Sequence, residues 1–517
     1  MTGGIGLSRR TLLTAGMAAS AVPLLPTWAQ PSPLRVPQPR YGGRIRVAAM
    51  SSSTADTADP AKGALSTDYT RHHMLYSGLT EYGVDLRPRL ALAETIESRD
   101  QIHWRVKLRT GIRFHNGKLL NAEDVVFSLM RHQNPAIGSK VRPIASQLAE
   151  VRATGPLDLT ITLTGPNVDL PSMLAQSHFL IIAAGTTDFS HPNGTGPYRI
   201  KSFVPGVSTI VTRNDDFWKP GKPYLDEIEL IGIPDEVSRV NALLSRDVHL
   251  IVAVNPRSMR RIKESGTHDL LETASGLYTN LIMRRDGGIT GNPDFVLGMK
   301  YLFDRELVKR ALFRGSALIG NDHPIPPFHP FYRADLPQRT FDLDRAKYHF
   351  AKAGLGRSPL SIYASPAAEG SVDMGSVLQE YGARAGLNLA VNRVPADGYW
   401  STHWMKHPLS FGNTNPRPTA DLVFSLFYKS TAVWNESGWK NERFDQLLLE
   451  ARAVADEGLR AQMYGEMQEI VSNQGGTAIP VFINMTDGYD NRLKGLYPVP
   501  VGGLMGYAFA EHAWWEG

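Results

Sequence analysis

The adjacent pair His72-His73 is the first grouping along the chain that could bind a metal ion. Neighbouring positions on a helix point about 100° apart, so the two imidazoles cannot both reach one ion unaided, and a packed or surface role fits them better. Asp342-Leu343-Asp344 could supply paired carboxylates for acid–base work. It stands just before a helical run, Arg345 to Ala353, where acidic residues in the first turn are expected from the helix dipole alone. Gly194-Thr195-Gly196 begins like a dinucleotide loop, but Arg199 replaces the third glycine and the segment runs on into Tyr198-Arg199-Ile200, a strand. The sequence contains no G-x-S-x-G elbow, no H-E-x-x-H, no Walker loop and no calcium loop. It also contains no cysteine, which removes disulfide frameworks, thiolate zinc sites, thiol catalysis and lipid attachment through a cysteine. These residues point away from bond-making chemistry.

The elements that would position any site are legible from periodicity. Gly43 to Ala48 alternates like a strand, and a polar loop follows from Ser51 to Pro60. His103 to Leu108 is a clean period-two segment, with Trp104, Val106 and Leu108 on one face and basic residues on the other. Leu159, Ile161 and Leu163 repeat the pattern, as do Ile228 and Leu230. Asn121-Ala122-Glu123-Asp124 reads as a helix start, with the acidic side chain at the third helical position reaching back. Tyr301 to Phe313, Phe444 to Ala455 and Met463 to Val471 carry helical spacing. Strands and helices mix throughout without a repeat, so the fold class expected is α/β in several lobes.

With 517 residues, 42% hydrophobic and 20% charged, the chain has material for two to four cored domains and is neither disordered nor fibrous. Lys+Arg 55 against Asp+Glu 50 gives +5, too small an excess to argue for nucleic acid. Residues 1–29 have the build of an export signal: the pair Arg9-Arg10, a short apolar stretch, and Thr27-Trp28-Ala29 before a cleavage point. Ser8-Arg9-Arg10-Thr11-Leu12-Leu13 is similar to a twin-arginine address. Cleavage near Ala29 would leave a Pro-rich tether, 30–41, and place the protein in a periplasm.

Longer motifs carry a family likeness. Leu108 to Gly117, followed by Leu120 to Ser128, resembles the signature of the peptide/nickel-type (family 5) solute-binding proteins of ABC transporters. Gly194 to Tyr198, Arg213-Asn214, Phe217-Trp218, Gly221 to Ile228, Asp304 to Val308, Arg314 to Ala317 and Trp439 to Ile470 continue the similarity in the same order. The resemblance implies a two-lobed periplasmic binding protein of type II, in the large three-domain form, with a hinge and a central ligand cleft. Lobe I would comprise 42–72, 188–278 and 488–517, the inserted extra domain 73–187, and lobe II 279–487. It implies no enzyme and no cofactor. The partners implied are a short peptide or peptide-like solute and an inner-membrane permease and ATPase, with the protein itself a monomer.

The family's peptide binders hold the amino end of the ligand with an Asp and line side-chain pockets with aromatics. The corresponding stretch here is Phe411 to Asp421. It offers Asn413, Asn415 and, several residues later, Asp421, which puts an amino-terminal anchor in question. Arg417 would suit a carboxylate or phosphate instead. Trp404 and Trp434 are candidate chamber walls, and Tyr69 and the loop Ser51 to Thr54 are candidates from lobe I. A nickel chelate, an opine or a glutathione-like solute is the alternative cargo, with His403 or His407 as one metal ligand. An exported hydrolase or chaperone is the distant third reading.

Overall fold

In the computed structural model, residues 38–356 and 358–516 are described, so the export signal and nearly all of the tether lie outside the described residues. From Pro39 onward the chain forms one compact unit. Twelve strands among the described residues join in one hydrogen-bonded network that runs through both lobes.

Lobe I is built on β1 (Arg44–Ala49), which buries Ile45, Val47, Ala48 and Ala49. Helix α1 (Ser66–Leu75) follows the polar loop after β1. Two strands flank β1 in parallel, β2 (Glu227–Gly232) and β3 (Leu250–Ile251). Their carboxyl ends open in one direction, the side on which open α/β sheets take ligands. Lobe II is reached through β4 (His268–Met283), whose second half pairs with β5 (Leu409–Thr414). Beyond β5 come helices α2 (Ala420–Phe427), α3 (Glu442–Ala453) and α4 (Glu457–Gln474). Strand β6 (Val481–Asp490) then returns beside β4 into lobe I. β4 and β6 are thus the paired crossing strands. Their register is broken between Thr273↔Met485 and Leu277↔Ile483, so β4 uses four steps where β6 uses two.

Residues 73–187 contain their own antiparallel sheet, in the order 93–98, 103–108, 158–163, 148–153. Its core takes Trp104, Val106, Leu108, Leu159, Ile161 and Leu163, the residues that the alternation points inward. Asn121 caps the following helix as its sequence implies: it accepts from the Asp124 amide, and the Asp124 carboxylate accepts from the Asn121 amide. Asp342 likewise caps Leu343–Ala353, accepting from the amides of Asp344 and Arg345. The helical spacing over Tyr301 to Phe313 is interrupted. One helix ends at Tyr301, and Asp304 starts a new turn at Arg305 by accepting from the Leu307 amide at 2.8 Å.

The glycines of Gly194-Thr195-Gly196 let this segment lie against the end of α1. A Cβ at Gly196 would sit 2.3 Å from the Leu75 carbonyl carbon and 2.5 Å from the Tyr76 amide nitrogen. Backbone cannot yield as a side chain does, so Gly196→Ala is expected to destabilise the protein by about 3 kcal/mol. A urea midpoint within error of the wild type would contradict this packing account.

Candidate functional site

Between the lobes, tyrosines of lobe I face an arginine of lobe II. Tyr69 projects from α1, its ring centroid 5.4 Å from Tyr507 and 5.2 Å from His178. Tyr507 also stacks on His73, at 6.3 Å. It lies in a backbone segment where Leu504, Met505 and Tyr507 all take positive φ, 52°, 57° and 75°. Three left-handed residues that are not glycine in four positions are costly, and such strain persists only where surrounding structure enforces it. Here the enforcing contact is Asp487 on β6, whose Oδ2 accepts from the Leu504 amide at 2.6 Å.

Arg417 enters from the loop after β5. Its Nη1 donates to the backbone carbonyls of Asn415 and Pro416, at 3.3 and 3.0 Å. The guanidinium carbon lies 5.7 Å from the Phe427 ring centre, and Phe427 in turn packs on Trp434 at 5.8 Å. Burial lowers the pKa of Arg417, and the titratable groups nearest it are the tyrosines Tyr278, Tyr69 and Tyr507, with no carboxylate among them. The guanidinium is half-buried, and a cation partly withdrawn from water is stabilised when an anion meets it. The arrangement can therefore hold a carboxylate or other planar anion in a forked pair, walled by aromatic faces.

Tyr69, Arg417 and Trp434 are thus brought to one place, Trp434 at its edge with 43% of its surface exposed. Asn415 is exposed at the same loop and offers Arg417 its carbonyl. The other expected ligand groups are engaged elsewhere. Asp421 lies in the first turn of α2 and pairs with Arg452 of α3, at 2.6 and 3.2 Å, so its charge is already met. Asn413 donates across the strand pair to Thr279 Oγ1 at 3.0 Å. Trp404 packs against the lobe II core and donates its indole N–H to Glu436 at 2.7 Å. The loop Ser51 to Thr54 is held by Asp56, which accepts from the Ser52 hydroxyl and the Ser53 amide.

The histidines considered for metal also part company. His72 contacts the Thr57 carbonyl and His73 the Ser177 hydroxyl, each at 3.0 Å. His403 and His407 contact one another at 3.0 Å, and His407 stacks on Tyr363 at 3.5 Å. They precede β5 whereas Arg417 follows it, so the length of the strand, about 20 Å, separates them. His407 and Tyr363 line a groove of about 660 Å³ there. Among the described residues no group of three or more metal-ligating side chains stands together.

Four members of the site escaped the sequence reading: Tyr278, Phe427, Asp487 and Tyr507. Only the cluster Gly502-Gly503 and Gly506 hinted at an unusual turn around the last of them. Asp487 is 2% exposed and burial pushes its pKa up to about 7, with the Leu504 and Ala253 amides pulling it down. An unfolded Asp ionises near pH 4, so below that pH both states carry the proton and nothing is lost. As pH climbs from about 4 through 7, the folded state loses stability because a buried carboxyl is retained against, and finally forced into, ionisation. Asp487→Asn is therefore expected to gain on the wild type over this range, reaching roughly 5 °C in Tm at pH 8 in ligand-free protein. Parallel Tm–pH curves for the two proteins would show the carboxylate to be stabilised after all.

The lobes also touch directly. Asp169, just ahead of the helix Leu170–Leu174, receives Arg460 Nη2 of α4 on both oxygens at 2.8 Å. The Val168 amide donates to the Arg452 carbonyl at 2.9 Å, and Arg87 forks onto Glu457 at 2.6 and 3.1 Å. These contacts bridge the two sides of the cleft in this structure.

The sequence model for bacterial extracellular solute-binding proteins, family 5 (middle region), matches residues 85–435. A heme-binding protein A of Haemophilus influenzae is 23% identical over 441 residues, covering 77% of this chain and 80% of that one. A dipeptide-binding protein of Escherichia coli is 23% identical over 468 residues, covering 83% and 87%. A Helicobacter pylori periplasmic binding protein, solved with the peptide STSA, superposes with a TM-score of 0.77 at 20% identity, covering 92% of this chain and 99% of that one. No described helix is long and apolar enough to cross a membrane.

Proposed function

The chain belongs to the bacterial extracellular solute-binding proteins of family 5, and from that premise we propose that it captures a short peptide or peptide-like organic solute in the cleft around Arg417 and delivers it, unaltered, to a membrane importer. The observation that carries this reading is the half-buried guanidinium of Arg417, near Tyr69 and Tyr507 of the opposite lobe and without a carboxylate partner among the described residues. A solute with a carboxylate completes it. Because that solute touches both lobes, its binding energy is a closure energy, and closure is the signal a transporter reads.

In this reading the domain boundaries are those expected above. Residues 1–29 are removed on export to the periplasm, and the partners are an ABC permease and its ATPase. The protein acts as a monomer and breaks no bond. The dipeptide-binding relative and the peptide-bound neighbour support a peptide-like cargo, whereas a metal chelate gains no support from His403 and His407, which stand at the far end of β5.

Mass spectrometry of the small molecule released on denaturing the freshly purified protein tests the proposal. A released carboxylate-bearing peptide or peptide-like compound that raises Tm when added back is the expected result. Released compounds without an acidic group, or no stabilisation across peptide, opine- and glutathione-like panels, would count decisively against it.

A further inference from the structure

Resting on that reading of the cleft, the geometry points to Asp487 as a second, cation-receiving pole at the lobe I end of the crossing strand β6, where it pairs with Leu271 of β4, opposite the anion-receiving Arg417 of lobe II. Three independent observations meet there. The first is topological. Asp487 stands on β6 one residue before Gly488, which pairs with Ile251 at the carboxyl end of β3. The carboxyl ends of β1, β2 and β3 open on that side, and Ala253, just past β3, takes a positive φ of 51°. Gly488 turns to the helices beneath the sheet, against Leu243 and Ile262, so Asp487 projects from the opposite face, towards the Tyr507 segment.

The second concerns charge. No salt bridge neutralises Asp487 among the described residues. Its Oδ2 holds the Leu504 amide, and the Ala253 amide lies close by. Its Oδ1 is buried and has no hydrogen-bond partner of regular geometry. A buried carboxylate oxygen in this condition is an acceptor waiting for a donor, at a cost of several kcal/mol while it waits.

The third is strain. The Asp487 carboxylate ties the left-handed Leu504-Met505 segment to β6, and Gly503 packs so close that a Cβ would lie 3.0 Å from Oδ1. The turn delivers Tyr507, which lies within electrostatic range of both Arg417 and Asp487.

A cation and a carboxyl group, each without a salt-bridge partner among the described residues and both near Tyr507, select a solute by its two ends. The class is a compound carrying a protonated nitrogen and an acidic group, with an apolar or aromatic middle. Such a solute neutralises both poles at once, and each lobe contributes only one of them, so closure requires both ends.

The test uses the full mature protein and a defined library of di- and tripeptides in free, N-acetylated and C-amidated forms. Retention after desalting is read by mass spectrometry, and affinities of retained members by tryptophan fluorescence. Wild type should bind the free form about tenfold or more tightly than its N-acetylated counterpart. In Asp487→Asn, whose amide oxygen still accepts from Leu504, that discrimination should fall to within about twofold. Discrimination against the amidated form, set by Arg417, should survive. Wild-type protein that binds acetylated and free forms alike would remove Asp487 as a pole and leave the Arg417 reading standing. An Asp487→Asn protein that is weaker for every form but discriminates as before would assign the residue a purely structural role and overturn the proposal. A preference for amidated peptides would overturn the reading of Arg417. Retention of no form would overturn the peptide-like reading and this proposal with it.

Discussion

Arg417→Met is expected to lose about 100-fold in affinity for the solute that copurifies with the protein, while its Tm without ligand stays level or rises. The two halves of this result have one cause. Methionine keeps the apolar contact with Phe427 but removes a charge that burial penalises and no protein carboxylate repays. The ligand-free protein therefore gains, and the complex loses a charge-assisted fork whose other partner is then buried alone. Arg417→Lys should recover only part of the affinity, since an ammonium makes no planar fork. Calorimetry on the two variants and the wild type, with one ligand, checks the order. Unchanged affinity in Arg417→Met would place the anionic end of the solute elsewhere.

Arg460→Met is expected to cost a further large factor by a different route, without touching the ligand. Arg460 and Asp169 belong to opposite sides of the cleft, and the pair is largely buried, at 6% and 18% side-chain exposure. When the lobes part, both groups return to water. Removing the arginine thus leaves a lone buried carboxylate only in the closed form, a penalty of about 3 kcal/mol or more, equivalent to roughly 100-fold in affinity. The neighbouring Asp421–Arg452 pair does not replace the arginine, because Asp421 pushes the Asp169 carboxyl towards the protonated form, as burial does, while Arg452 only opposes that push. Scattering should show the variant open at solute concentrations that close the wild type. Arg460→Met with Asp169→Leu should close again, since nothing charged is then buried. A single variant that closes and binds normally would show the contact to be incidental.

How much of this could be read from residues alone depended on the range of the interaction. Trp104, Val106 and Leu108 went to a core because a two-residue period fixes a face within six positions. Asn121 and Asp342 capped their helices because a cap is settled within three residues. The family motifs pointed to a two-lobed fold and to the stretch that carries Arg417. Asp421 stood among the candidate ligand groups because its partner, Arg452, lies 31 positions away on another helix and is invisible locally. Trp404 stood among the candidate chamber walls because an indole beside a cleft and an indole over a buried Glu436 look alike in one dimension. Asp487 and Tyr507 gave no signal for a related reason. Their role arises where β3, β6 and the C-terminal turn meet, three segments remote in sequence, and a lone Asp within an alternating strand reads as an ordinary surface residue.

The uneven register of the crossing strands has a mechanical meaning. Two strands of equal contour would let the lobes swing like the covers of a book. Here one strand carries slack, two additional residues or about 6 Å of chain, while its neighbour is taut. A bulged strand also twists more tightly than a regular one. The taut strand is then the pivot, and the slack one winds and unwinds around it. A slack, twisted strand beside a taut one favours a closing motion in which one lobe also rotates against the other, as a screw turns, rather than a flat swing.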